Sequence, residues 1–518
     1  MNYLMTPIMW KMANIDIRSK DVPRDFNALL YSPHHVLDHV RLLHVIGAGS
    51  LGNPGYNNNF VRLLVALRQH HLESFSCIKN ISGPNLLQLL SGQRKLTILA
   101  IESQFSVYSP SEILGITTEE LWFTQHPAFI TSCLAEVEEL RLSFQHCHWS
   151  QVCPSFHFYI KSTTKLRRLF LDATEFRLRP QRNVFKEIFT PEKQDFSTGM
   201  QKRKLETLYL KGFSHGNTAE PLINAVDFSR LKILEILDHV RPEKLLYALA
   251  WQLIKVPPPQ LTTLSIGFSG AEISSLPSLE NLLDVVTGLK SISINSCMSS
   301  HIDLACIARH GSTLESLTLA SHEINIHVPY ATILAILTKC PKLKQLALVL
   351  PDPHLGSVSD CDLTWDLNTD TSAHPVESEL HGILIAITTA SALHTLRILS
   401  LEHLQDMTVN ARGASEPTPV QRKFAKFMIG NYANKVLSYL FTRGSKIKVL
   451  AVSPLANRQS YSSEYEDENG HVFPHYYYMK GKVWDMLGRE DVVARPVGLV
   501  SLELPESSIL GTPASGLC

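Results

Sequence analysis

Six strings of the form L-x-x-L-x-L, with Ile allowed at the apolar positions, recur through the middle of the chain. They are LETLYL from Leu205, LKILEI from Leu231, LTTLSI from Leu261, LKSISI from Leu289, LESLTL from Leu314 and LKQLAL from Leu343. Their starts lie 26, 30, 28, 25 and 29 residues apart. Looser copies begin at Val40, Leu72, Leu96, Val137 and Leu166 upstream, and at Leu396, Ile447 and Leu499 downstream, which makes fourteen units. The last two apolar positions of each string alternate with a polar one, so each string predicts a short strand with one apolar face. Amphipathic stretches of helical length lie between them, at 85–92, 276–288, 302–311 and 331–340. A strand then a helix at near-constant spacing predicts a coil of parallel strands. No unit buries its apolar face alone, so stacked neighbours must share one core.

This pattern sets the expected fold class: α/β, a leucine-rich-repeat solenoid of horseshoe form. Parallel strands line the concave face, helices lie outside, and the repeats are irregular. The array is expected over 37–518, with 1–36 as a segment leading into it. Gaps of 53, 51 and 52 residues separate the starts at Leu343, Leu396, Ile447 and Leu499, about twice the period. They hold polar insertions at 351–379, 402–421 and 453–482. Insertions that leave the same end of their strands should gather on one rim.

The same alternation gives candidate contact residues. Side chains at the x positions of the strands point away from the shared core. Early in the array these are Glu139, Arg141, Arg168 and Asp172, with Tyr209 and Lys211 beside them. In the middle they become small and hydroxylated: Thr263, Ser265, Ser291, Ser293, Ser316 and Thr318. The insertions add Trp365, Tyr461, Tyr465, Tyr476, Tyr477 and Tyr478 as a candidate binding rim, because tyrosine mixed with charge suits protein recognition. The competing reading for "HVFPHYYYMKGKVW" is a cover over the last core layers.

Composition narrows the function. The 518 residues are 44% hydrophobic and 19% charged, as in a chain with a large core. The formal net charge is zero, so there is no basic excess of the kind a nucleic-acid binder carries. Nine cysteines are scattered with no C-x-x-C pair, which fits buried reduced thiols in an intracellular protein, cytoplasmic or nuclear. The N-terminus does not read as a signal peptide. The longest apolar stretches, 245–256 and 380–393, are too short to span a bilayer, so no membrane partner is expected.

Three strings point towards chemistry and lose their context. Gly47, Gly49 and Gly52 stand at dinucleotide-binding spacing, yet Pro54 and Gly55 interrupt the helix that should follow, and the next strand ends without an acid. Ser214 sits in GFSHG after a strand, but Pro221 places the next helix start too late for a nucleophile elbow. His146, Cys147, His148 and Cys153 have zinc-binding atom types without ligand spacing. The expectation is therefore a non-enzyme with no cofactor and no metal. A serine hydrolase or nucleotide-binding enzyme through Ser214 or Gly47–Gly52 stands as the weaker alternative.

The whole pattern resembles the fungal F-box/leucine-rich-repeat type of protein. The resemblance rests on "FNALLYSPHHVLDHVRLLHV" (26–45), the irregular repeat strings and the polar insertions near the C-terminus. It implies that the repeats hold a protein substrate for ubiquitin transfer. It also implies that an F-box of about forty residues docks a cullin-ring ligase adaptor, if one precedes this chain. Residues 1–36 contain no L-P-x-E-like opening, so no residue is assigned to adaptor binding. An adaptor-free repeat scaffold is the alternative.

Overall fold

Each described L-x-x-L-x-L string upstream of Leu396 becomes a strand that begins two residues after its first apolar position, and so does the string at Ile447. The computed structural model describes residues 11–16, 36–46, 62–78, 90, 92–103, 133–144, 149–173, 184–189, 202–213, 219–239, 242–255, 261–268, 276–296, 302–320, 327–351, 375–399, 418–453, 466–473, 475–484, 486–488, 490–498 and 509–510. The chain divides into two units, Met1–Gln260 and Leu261–Cys518.

In the first unit the sheet order follows the sequence. It runs β1 (Met12–Asp16), β2 (Leu42–Ile46), β3 (Ser74–Ile78), β4 (Ile98–Ser103), β5 (Glu139–Phe144), β6 (Arg168–Asp172), then β8 (Thr207–Lys211) and β10 (Ile233–His239). All neighbours are parallel. The short strands β7 (Arg203–Lys204) and β9 (Val226–Asp227) pair separately. Helices α1 (Trp149–Ser162), α2 (Val184–Phe189), α3 (Glu220–Ala225) and α4 (Glu243–Lys255) fall between strands, each packed on the next. Pro221 lies in the first turn of α3, where its missing N–H costs nothing. Strand β1 joins the sheet without a leucine string, so pairing starts at Met12, ahead of the array expected from residue 37.

In the second unit β11 (Thr263–Phe268), β12 (Ser291–Asn295), β13 (Ser316–Ala320), β14 (Gln345–Leu348), β15 (Thr395–Ile398) and β16 (Val449–Val452) are parallel neighbours. Then the direction reverses. Strand β17 (Tyr476–Trp484) is antiparallel to β16, and β18 (Glu490–Pro496) is antiparallel to β17. Helices α5 (Leu276–Val285), α6 (Leu304–Ala308), α7 (Tyr330–Lys339), α8 (Pro375–Thr389) and α9 (Pro419–Thr442) again pack each on the next. Both units are thus α/β, with mostly parallel strands and stacked helices, an arrangement compatible with a solenoid.

The core is a set of columns. In the first unit Leu43, Phe75, Leu99, Leu140, Leu169, Leu208 and Leu234 are register partners strand to strand, and all are buried. In the second, Leu264, Ile292, Leu317, Leu346, Leu396 and Leu450 do the same. Each contributes about 1.5–3 kcal/mol of burial. The backbone repeats too. The carbonyl of the second residue in one string accepts two N–H groups from the next, as Glu138 and Glu139 donate to Thr97.

Three expectations are corrected. The unit placed at Leu396 starts at Leu393: Leu393, Leu396 and Ile398 fill the three core positions, and Leu396 pairs with Leu346. The polar insertion at 351–379 ends before α8, which begins at Pro375, and that at 402–421 ends before α9, which begins at Pro419. The third insertion is no loop at its end, since 476–482 belong to β17. The unit expected at Leu499 lies outside the described residues.

One close approach escapes any repeat pattern. At the turn after α6, a Cβ added to Gly311 would collide with the backbone carbonyl of Lys339, at the end of α7. Gly311→Ala is therefore expected to destabilise the second unit by about 1–3 kcal/mol. A urea melt would show it as a lower midpoint at unchanged slope.

Candidate recognition surface on the strand faces

Register places the x positions of β5, β6, β8 and β10 in rows. One row reads Glu139, Arg168 and Thr207; the next reads Arg141, Phe170, Tyr209 and Glu235; the third joins Ser143, Asp172 and Lys211. The Glu139 carboxylate is buried and held by two guanidiniums. Arg141 Nε lies 2.5 Å from one oxygen and Arg168 Nε lies 2.9 Å from the other. The Arg141 guanidinium also stacks 4.5 Å over the Phe170 ring, which packs against Tyr209 at 5.7 Å. Lys211 and Asp172 form an ion pair at 3.5 Å. Thus all six residues expected on this face fall on neighbouring strands.

Their exposure differs from the expectation. The Arg168 side chain is 46% exposed, and Arg141, Asp172 and Lys211 are partly exposed. Tyr209 is only 2% exposed and Glu139 is buried, so neither offers contact area. Tyr209 is flanked in register by Phe170 and Glu235, and it packs against the Phe170 ring. Glu139 acts as the internal counter-charge that fixes two arginines. Phe170 and Glu235 belong to the same row and were not picked from the sequence. The signal was available: each is the residue at the same string position as Tyr209.

Glu235 is buried, and its Oε2 has no hydrogen-bond partner among the described residues. Burial pushes its carboxyl up to about 7.

In the second unit the corresponding face is largely closed by the chain itself. Ser265, Ser316 and Thr318 are buried, while Thr263, Ser291 and Ser293 are half-buried. Beyond them Ala347, Val349, Leu399, Val449 and Ala451 form an apolar bed that Ile509 and Leu510 cover. The Ile509 N–H donates to Gln345 Oε1 at 3.3 Å, and the Ile509 carbonyl accepts from Arg397 Nη1. Buried Arg397 also donates to the Ser453 carbonyl (2.8 Å) and to Ser453 Oγ (3.2 Å). Burial and the Arg397 cation push His475 down to about 4, so its ring is neutral near pH 7. The Ser453 hydroxyl, which accepts from Arg397, is then free to donate to His475 Nδ1 at 2.5 Å. This part-buried serine–histidine contact reads as a structural tie.

The expected tyrosine rim is corrected here. Tyr476, Tyr477 and Tyr478 are buried strand residues, and Tyr477 lies in the apolar bed under Ile509 and Leu510. They form a cover over the last core layers. Burial pushes the Tyr476 and Tyr478 hydroxyls far up. His471 packs edge-on against all three rings. The acidic turn at 466–470 is tied to α9 by Lys426, which lies 2.9 Å from Asp467 and also pairs with Glu468. Trp365, Tyr461 and Tyr465 lie outside the described residues.

The strings that pointed to chemistry mostly lie outside the described residues as well: Gly47–Gly52, Ser214, and the His146, Cys147 and His148 cluster. Among the described residues no group of three or more His, Cys, Asp or Glu could hold a metal ion. Among them, too, no helix is long and apolar enough to cross a membrane. Cys77, Cys133, Cys306 and Cys340 are buried and in the thiol form. Compared with known proteins, the chain matches no family model and no curated sequence.

The buried carboxyl gives a pH test. A folded pKa raised from 4.5 to about 7 means that Glu235 binds its proton more tightly when folded. Its contribution to stability is complete below pH 4.5 and is lost as pH rises through 7. Glu235→Gln, which cannot ionise, should match the wild type below pH 4.5. Above pH 7 it should be more stable, by up to about 3 kcal/mol. Denaturation curves across this range would check it, and parallel curves for the two proteins would contradict it.

Proposed function

We propose that each unit is an arc of a leucine-rich-repeat horseshoe, and that the chain works without catalysis by holding another protein on the strand face of its first unit. The strand order, the stacked helices and the repeating carbonyl ladder support the horseshoe reading. One observation carries the binding reading: Arg141 and Arg168 are held in place by the buried Glu139 and still present themselves to solvent. A preorganised arginine pair beside an aromatic ring loses little side-chain entropy when it meets a carboxylate. The partner surface that fits is acidic. Both Glu139 oxygens are already engaged, which suits a positioning role for that carboxylate better than proton transfer.

The resemblance stated above gives the reading its biological form, the substrate-recognition part of an F-box-type ubiquitin ligase. The test is co-purification from cells with wild-type chain and with Arg168→Ala. A protein held through this face should lose about thirtyfold in affinity in the variant, the usual effect of truncating an arginine at the centre of an interface. A co-purifying cullin adaptor would support the ligase form, and a partner without an adaptor would support the scaffold form. A partner retained at full affinity by Arg168→Ala would overturn the binding face.

A further inference from the structure

The hairpin of β17 and β18 reaches past the sheet it joins. Val449 pairs with Met479, and the Lys480 N–H still bonds the Lys448 carbonyl at 2.9 Å. Beyond that point, Gly481 to Trp484 are paired with Val493 to Glu490 of β18. The hairpin therefore overhangs the edge at which the parallel strands begin. Its turn includes Gly488 at φ +75°, a left-handed conformation that suits glycine.

The tip of the overhang exposes large apolar side chains. Trp484 is 64% exposed and Leu487 is 77% exposed, while Met486 is fully exposed and Val483 is about half exposed, at 49%. Four large apolar side chains within five residues at a hairpin tip are a contact surface, because scattered single exposures are the ordinary case.

The edge beneath the tip is cationic. The carbonyl ladder sets Lys290, Glu315, Lys344, His394 and Lys448 on successive strands. Lys290 and Lys448 are exposed, and Lys342, Arg443 and Lys446 add exposed cations from the preceding turns. Among the described residues, the acids near them are Glu315, paired with Lys344 at 2.8 Å, Glu490, paired with Lys482 at 2.6 Å, and Asp491, opposite Val483; in the sequence Asp485 and Arg489, of opposite sign, also fall at the tip. The first unit is an internal comparison. There the same row alternates in sign, with Arg41 bonded to Glu73 and both Arg167 and Lys232 near Glu206.

We propose that this edge docks on an anionic lipid surface, with the side chains of Val483, Trp484, Met486 and Leu487 entering the headgroup layer and the lysines of the strand edge lying against it. A projecting tip has no concavity to receive a partner's side chain. A bilayer accepts projecting apolar groups without a matching pocket, and tryptophan favours its interface. Basic residues beside the inserted group add about 1 kcal/mol each on an anionic surface. This contact is peripheral and differs from the spanning segments considered in the sequence.

The test is sedimentation of the full chain with phosphatidylcholine vesicles, with and without phosphatidylserine. Binding is expected only to the serine-containing vesicles and should weaken with salt. Trp484→Ser combined with Leu487→Ser should reduce it about tenfold or more, and so should Lys446→Glu combined with Lys448→Glu. All four positions are exposed, so thermal melts should stay within a few degrees of wild type. As a second readout, brominated lipid should quench the tryptophan emission of the wild type and not that of the Trp484→Ser variant. Absence of binding at low salt would overturn the proposal, as would unchanged binding by the tip variant. Self-association of the wild type that the tip variant abolishes, without lipid binding, would assign the tip to a protein contact instead.

Discussion

The fold depends on one constraint: no strand here can bury its own leucines. A five-residue strand such as Ser291–Asn295 offers Ile292 and Ile294 to a core that exists only because Leu264 and Leu317 stand beside Ile292 in register. The double acceptance by each string's second carbonyl fixes the register of the next strand. A slip by one residue would send the whole apolar set to the other face. Stability in such an array comes from neighbour contacts, so within a unit each strand specifies the position of the next.

That constraint frees the opposite strand face, and the two units use it differently. In the first, Glu139 takes the charge of two arginines, and a row of Arg141, Phe170 and Tyr209 builds a wall whose outer groups remain available. In the second, the same face becomes a smaller second core. Alanines at 347 and 451 leave room for Ile509 and Leu510, and Arg397 and Gln345 hold the main chain of Ile509. The antiparallel strand β17 ends the parallel run and carries the tyrosines that complete this core.

Strand positions were legible because the leucine string is itself the core column. The error at Leu396 has a local cause. Leucines at 393, 396 and 399 satisfy two frames three residues apart, and only the partner column at Leu346 selects between them. The reversal at β17 was hidden, since a leucine period carries no signal for an antiparallel strand. Tyr476, Tyr477 and Tyr478 read as contact residues because the pattern could not show what covers them. The arginines of the candidate site were found from alternation alone. The burial of Glu139, Tyr209 and Glu235 was not, because it depends on cross-strand neighbours that one string does not reveal.

The shared-column account is tested most directly by hydrogen exchange on a chain carrying Leu317→Ala, a truncation in the middle of the second unit's column. If neighbouring strands hold one another, protection should fall most in β13, next in β12 and β14, and progressively less towards β11 and β16. Loss confined to β13 would contradict the account, and so would an equal loss across every strand of the unit.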